Sequence, residues 1–399
     1  MTKTSPEAQG LRVVVLGGGV AALEVVLGLR ALAEERVSLE LIAPEPYFWY
    51  RPLAVSEPFG RGGVKRFELA GIARACGAQL TLAAAHFVDP DRRVVGTDVG
   101  PTAAAEIEYD ALVVATGARP TRAVEGALTF RGPADVDAVA RMLEDARRRV
   151  RRRIAFVVPP GATWPLPAYE LALQTAHRFG SRAEVSVVTP ERSPLELFGA
   201  AASAEIKTLL DGRGIRLYAN RAAIRFEDGV LSLRGGDSLG CEYVVGLAQL
   251  RGDPPAGIPR DADGFVPVDE YGRVEGLVDA YAAGDATSFP IKQGGIAAQQ
   301  ADSVAEAIAV RAGAPVEPRR FRPILRGLLV TGTTPIYLRH DPARPESSTV
   351  AQEPLWWPAD KIVGHHLAPF LAEHPDITAA EPAALTSRPL LEIVPGSRD

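Results

Sequence analysis

Only two cysteines, Cys76 and Cys241, occur in the 399 residues. They form no CxxC pair and no disulfide framework, and a reducing, cytoplasmic setting is expected. Lysine is also scarce: five lysines stand among 44 basic residues, so the positive charge is nearly all arginine. The net charge of −5 gives no general pull on nucleic acid or anionic lipid. No apolar run approaches the roughly 20 residues that span a bilayer. Residues 1–10 are polar and carry no signal-peptide pattern. A cytoplasmic protein is therefore expected, with peripheral contact at the inner membrane face left open. What is present suits a soluble enzyme: 47% apolar and 23% charged residues, in a chain long enough for two or three domains.

Leu11–Leu16 reads as a buried parallel strand because it is apolar almost throughout. It runs into Gly17-Gly18-Gly19-Val20-Ala21-Ala22, a helical pattern through Ala33, and a second strand at Val37–Ile42. In this setting a G-x-G-x-x-A run has chemical meaning. Gly17 permits the tight turn, Gly19 lets backbone approach a pyrophosphate, and Ala22 lets helix and strand pack closely. The helix start then offers free N–H groups and a positive dipole end to phosphates. Without a ligand, the same residues make a plain βα turn. An acid for the ribose hydroxyls is missing from the end of the second strand, where Ala43 stands. Glu45 either substitutes from two residues further on or is a solvated loop residue.

Two more strands end in glycine turns: Tyr109–Pro120, through Ala115-Thr116-Gly117, and Val278–Thr287, through Gly284-Asp285. Gly284 allows close approach, and Asp285 can accept a hydrogen bond from a sugar-like chain; an Asx-type turn is the alternative. With three such motifs in this order, the sequence closely resembles the flavoproteins built from two dinucleotide-binding domains. That group includes type II NADH dehydrogenases, flavocytochrome-type sulfide dehydrogenases and sulfide:quinone reductases. The resemblance spans roughly residues 11–320.

The resemblance implies FAD, with Thr116-Gly117 over the pyrophosphate and ribose and Asp285 on a ribityl hydroxyl. It implies that the helix opened by Lys292-Gln293-Gly294-Gly295 points at the flavin N1/O2 edge. There Lys292 and the helix dipole would stabilise negative charge; an ordinary loop lysine is the alternative. The stretch Tyr47–Leu53, with Arg51 and Pro52, matches the family's loop beside the isoalloxazine, or else forms an aromatic cluster at a domain seam.

The strand–turn–helix–strand pattern repeats at Ile154–Val158, Pro167–Phe179 and Glu184–Val188. In NADH-using relatives this unit holds the pyridine nucleotide. Here the turn carries four prolines in the nine residues Pro159–Pro167, with Trp164 among them. Proline has no N–H to give a phosphate, and Trp164 adds bulk where backbone must come close. NAD(P)H is therefore disfavoured, although Trp164, on the substrate side, could stack on a nicotinamide or adenine. Sulfide:quinone reductases carry a similar turn with a redox cysteine. Neither Cys76 nor Cys241 matches the family's flavin-side cysteines, so the persulfide chemistry of that family is not expected. Glu170 would face the flavin from the domain interface and relay protons, or merely favour the helix dipole from its first turn. The six arginines of Arg147–Arg153 lie at the wrong end of their strand for a nucleotide phosphate and read as helix-end solvation.

Beyond residue 320, Arg326–Gly332 and Pro335–Arg339 read as strands, and an apolar, partly helical stretch runs to Leu371. In relatives this region covers the flavin, forms a dimer interface or holds the quinone. Trp356 and Trp357 with Lys361 either pack on the first domain or meet a lipid headgroup layer. His365 and His366 are adjacent and share no helix face, so no metal site is expected. Residues 372–399 read as a loose tail.

The expected fold is α/β: two Rossmann-like dinucleotide-binding domains, the FAD domain discontinuous, plus a C-terminal α+β region. The divisions are 1–130 with 265–320, 131–264, and 321–399. The expected function is an FAD-dependent oxidoreductase passing electrons from a small reductant to a quinone or other acceptor, with a homodimer in view. The alternatives are an NAD(P)H-dependent reductase with an altered nicotinamide pocket and a flavin-binding protein without turnover.

Overall fold

The computed structural model describes residues 10–99, 103–150, 152–161 and 163–379. Strand β1 (Leu11–Leu16) leads into helix α1 (Val20–Ala33) and β2 (Val37–Ala43). After a hairpin of Tyr47–Tyr50 with Lys65–Glu68 come α2 (Leu69–Ala75) and β3 (Ala78–Leu82), then a three-stranded meander and β4 (Ala111–Val114). The middle of the chain runs β5 (Leu128–Phe130), α3 (Val136–Arg148), β6 (Arg153–Val157), α4 (Leu166–Phe179), β7 (Glu184–Val188), α5 (Ala200–Gly212), β8 (Arg216–Tyr218) and β9 (Tyr243–Leu247). It returns through β10 (Ala280–Ala282) and α6 (Gly294–Arg311), and ends in β11 (Leu325–Leu329), β12 (Ile336–Asp341), β13 (Arg344–Ala351) and α7 (Leu367–Glu373).

Two five-stranded parallel sheets result, ordered β10-β4-β1-β2-β3 and β5-β9-β6-β7-β8. Their central strands are apolar along their length because both faces are covered. The chain crosses between the sheets through an antiparallel pair, Ala118–Thr121 with Gln249–Gly252. Leu128–Phe130, expected in the first unit, is hydrogen-bonded to β9 in the second sheet. Its three residues are too few for periodicity to reveal a partner, and the chain has already crossed.

Helix α1 is buried on nearly every side from Ala21 to Leu29, because α6 covers the face turned away from the sheet. A Cβ on Gly28 would lie 3.2 Å from that of Ala305, so small residues set how closely the two helices approach. Glu24 lies in this seam at 0% exposure. Its carboxylate accepts the backbone N–H groups of His366 at 2.7 Å and Leu367 at 2.9 Å, pinning the start of α7. Burial, with Asp302 nearby, pushes its carboxyl up to about 7.

The C-terminal sheet is antiparallel, β11-β12-β13, and one face packs against Phe198 and the second unit. Strand β13 was not expected: Arg344–Ala351 is mostly polar and no residue in it is buried, as an edge strand can be. The tail expected from residue 372 is corrected in part. Residues 372–379 finish α7, bury Ile377 and bridge Thr378 to Phe67; residues 380–399 lie outside the described residues. No helix among the described residues is long and apolar enough to cross a membrane.

Candidate functional site

The first glycine turn divides into a packed part and an open part. Gly17 has φ +119°, donates its N–H to the Ile42 carbonyl at 2.8 Å, and lies so close to the next loop that a Cβ would meet the Ala115 carbonyl oxygen at 2.2 Å. Gly19 precedes α1 in extended conformation, and nothing lies within 4 Å of where its Cβ would be. No side chain caps this helix, and its first turn carries no acid. Backbone N–H groups therefore face open space at the positive end of the dipole, as an anionic ligand requires. Ala22 is fully buried at the helix–sheet contact. Thr116 is exposed beside Gly117, whose φ is +74°. Glu45 is exposed in the loop after β2, and no described group hydrogen-bonds to it.

Gly284 closes the other side. At φ +77°, its missing Cβ would press on Ala21 at 2.9 Å and Ala297 at 3.3 Å, so it occupies the point where α1 and α6 converge. Its N–H donates to Gln300 Oε1 at 2.8 Å, and its carbonyl accepts from Thr287 Oγ1 at 3.0 Å. The turn is thus held from α6, and Asp285 is left free. No described group donates a hydrogen bond to the Asp285 carboxylate, which faces a cavity of about 300 Å³. Burial raises its pKa, while Lys292 and Arg51 pull it back down. A half-buried acid without a protein donor beside an uncapped helix fits a ligand that brings both hydroxyls and phosphates.

Lys292 is not an exposed loop lysine. It is 4% exposed, donates to the Thr287 carbonyl, and places Nζ 3.6 Å from the centre of the Phe265 ring. Burial depresses it to about 8, against the pull of Asp285 and Asp261. A lowered lysine costs stability wherever the unfolded chain would hold the proton: fully below about 8, and less and less as pH rises to its ordinary 10.5. Stability of the ligand-free protein should therefore rise with pH across that window and level off at its lowest below about 8. Lys292→Met should remove this slope, worth up to about 3 kcal/mol, as read by denaturation midpoints from pH 7 to 11 (about that range). A wild-type slope that survives in the variant would assign it to another group.

Gly294 and Gly295 do start α6, but the helix end is less bare than expected. Gln293 Oε1 accepts the Ile296 N–H at 2.9 Å, and a Cβ on Gly294 would meet Ile362 at 2.9 Å. Arg51 and Pro52 reach the same cavity from the 3₁₀ turn Arg51–Val55 that follows the aromatic strand.

Across the cavity stands the proline-rich turn. Thr163 bridges to Ile291, and Trp164 packs edge-on to Phe198 with ring centres 5.8 Å apart. Trp164 thereby forms part of the cavity wall. Glu191, the acid after β7, is engaged internally, accepting from Tyr169 Oη at 2.7 Å and Thr189 Oγ1 at 2.8 Å.

Glu170 reaches the cavity from α4 at 1% exposure. Helix α4 begins at Leu166, so Glu170 lies on its second turn and the first-turn dipole reading falls away. Its Oε1 accepts from Lys361 Nζ and from the Val330 N–H at 2.9 Å. Burial raises the carboxyl, while Lys361 opposes the rise. Lys361 therefore points inward and not toward a headgroup layer; Trp356 packs on Tyr337, and Trp357 alone is left 87% exposed. Lys361, Ile362 and Gln300 were missed because no local motif marks them. Cys76 and Cys241 are buried in separate cores and line no part of the cavity. Burial pushes the Cys241 thiol up to about 11 and raises Cys76 as well. Among the described residues no group of three or more His, Cys, Asp or Glu gathers as metal ligands would.

Among solved structures, the fold is similar to the sulfide:quinone oxidoreductase of Aquifex aeolicus, at 21% identity and TM-score 0.75, over 86% of this chain and 87% of that one. It is also similar to a ferredoxin reductase of Rhodopseudomonas palustris, at 20% identity and TM-score 0.62, over 82% and 81%. A NAD-dependent persulfide reductase of A. fulgidus matches at 19% identity and TM-score 0.61, over 82% of this chain and 63% of that one. No protein of curated function matches the sequence. At family level, residues 11–307 match the pyridine nucleotide-disulphide oxidoreductases, a span that contains both parallel sheets and the three glycine turns. The chain therefore belongs to the pyridine nucleotide-disulphide oxidoreductase family and is, as a member, an FAD-dependent oxidoreductase.

Proposed function

We propose that this enzyme takes electrons from a small reductant other than a nicotinamide nucleotide and delivers them through FAD to a quinone or another acceptor. The second βα turn carries this reading. Where a nucleotide pyrophosphate would need free backbone N–H groups, the turn has prolines, a bridge from Thr163 to Ile291, and Trp164 lodged against Phe198. Glu191, at the position of a ribose-binding acid, is held by Tyr169 and Thr189.

FAD, when bound, supplies reversible electron uptake. Gly19 and the start of α1 would hold its phosphates, with Thr116-Gly117 flanking them, and Asp285 would accept from its sugar-like chain. Lys292, Gly294 and Gly295 would face the ring edge that gains negative charge, with Pro52 giving apolar contact. Glu170 would relay a proton to or from the cavity, since burial holds its carboxyl above the ordinary range. With neither cysteine on the cavity, the donor does not pass through a protein persulfide.

Stopped-flow mixing under anaerobic conditions tests the reading. NADH and NADPH are expected to leave the visible flavin band unbleached over a turnover time, and at least one small non-nicotinamide reductant should bleach it. Rapid bleaching by either nucleotide would move the protein to the NAD(P)H-dependent reading. Failure of every reductant to support cycling with artificial acceptors would favour a binding protein without turnover.

A further inference from the structure

Strands β11 and β12 pair in antiparallel register with Arg326 directly opposite Arg339. Directly opposed residues project from the same face, with Cβ atoms about 5 Å apart. Like charges so placed destabilise a sheet, and here the pair is half-buried. Neither guanidinium forms a hydrogen bond or ion pair with any described residue. Of the arginines that share the second cavity with Arg326, all but the exposed Arg322 have an acid: Arg319 has Glu306, and Arg320 has Glu270. Arg326 also stands at a junction. It lines the cavity that holds Asp285, Lys292 and Glu170, and equally a second cavity of about 470 Å³ opening past Arg319 and Arg322. Burial, and after it the facing Arg339, lower its pKa, and the acids on the second cavity, Asp302 and Glu306, are engaged by His365 and Arg319.

We propose that Arg326, backed by Arg339, binds the anionic group of a small substrate entering through the second cavity toward the flavin side. The chemistry is that of a carboxylate or tetrahedral oxyanion, which the Arg326 guanidinium can grip through parallel N–H donors while Arg339 behind it adds positive charge. An anion on Arg326 offsets the repulsion of the cross-strand pair, so the site is destabilised until filled. A small molecule fits better than an acidic protein, because Arg326 is recessed between two cavities and does not project from a surface. Calling the anion a substrate rests on the flavin reading above; the binding site itself does not.

The test is calorimetric titration of the flavin-loaded protein with sulfate and with acetate, chloride holding ionic strength constant. At least one should bind saturably. Arg326→Gln and Arg339→Gln should each weaken it roughly tenfold to a hundredfold, the effect of losing a charged hydrogen-bond donor. Arg148→Gln, an exposed helix-end arginine far from both cavities, should change nothing. The double variant Arg326→Leu/Arg339→Leu should melt higher than wild type without anion and gain nothing when anion is added, which separates lost binding from lost folding. Absence of saturable binding in the wild type, or equal affinity in Arg326→Gln, overturns the proposal. So does binding only to vesicles containing anionic phospholipid, which would give the arginines to a lipid surface. The two readings fail separately: colourless protein that binds sulfate defeats the flavin reading alone, and yellow protein indifferent to both anions defeats this one alone.

Discussion

Gly17→Ala is expected to lower stability by about 3 kcal/mol or more, while Gly19→Ala, two residues away, leaves the fold intact and loses flavin. At Gly17 two costs add. The backbone has φ +119°, a region L-residues avoid at roughly 1–3 kcal/mol. A Cβ there would lie 2.2 Å from the Ala115 carbonyl oxygen, and relieving such an overlap by shifting packed backbone costs about 1–3 kcal/mol. At Gly19 neither applies, since its φ is −93° and the space around a Cβ is empty. That space is what a pyrophosphate would occupy, so a methyl group should raise the FAD dissociation constant about tenfold or more, or 1.4 kcal/mol. Thermal melts of flavin-free protein read the first effect, and fluorescence titration with FAD reads the second. If Gly19→Ala binds FAD as tightly as wild type, the open end of α1 is not the phosphate site.

This contrast shows how far local sequence reaches. The glycine run, its strand and its helix were legible because their meaning is carried within about 30 residues; the helix ends at Ala33 as its pattern implied. The reason for Gly17 was only half legible. Its tight turn follows from sequence, but its contact with Ala115, nearly a hundred residues on, does not. Lys292 shows the same limit. The lysine and its two glycines announced a helix start, whereas the Gln293 side chain on the Ile296 N–H and the Phe265 ring under Nζ depend on how the chain returns.

Lys361 was the hardest to see. It lies 191 residues from Glu170, in a stretch whose tryptophans suggested a surface role. One compositional hint existed. Only five lysines occur among 44 basic residues, and two of them line the cavity. Arginine stays charged in any protein setting, whereas lysine can give up its proton more readily when buried, as the lowered Lys292 shows. The like-charged pair of Arg326 and Arg339 was likewise invisible until the register of β11 and β12 aligned them.

Removing one member of the Glu170–Lys361 pair should be the other large effect. Both side chains are nearly sealed from water, at 1% and 7% exposure, so taking away one partner strands a charge in a poorly solvated site, typically at about 3–5 kcal/mol. Among the described residues, Lys361→Met leaves the Val330 N–H as the only donor to Glu170, and burial then drives the carboxyl further up. A raised carboxyl is fully stabilising below its unfolded pKa and loses that stability as pH rises through its folded value. The melting deficit of Lys361→Met should thus be small near pH 5 (about that value) and grow toward neutrality. Glu170→Gln/Lys361→Met should recover most of the loss, because two neutral groups of similar volume need no partner. Turnover decides between scaffold and chemistry. If Glu170 carries a proton to or from the substrate cavity, the double variant stays slow although its fold is restored, and the acid limb of its pH–rate profile disappears. A double variant that regains both stability and wild-type rate would leave the pair a structural clasp between α4 and the segment before α7.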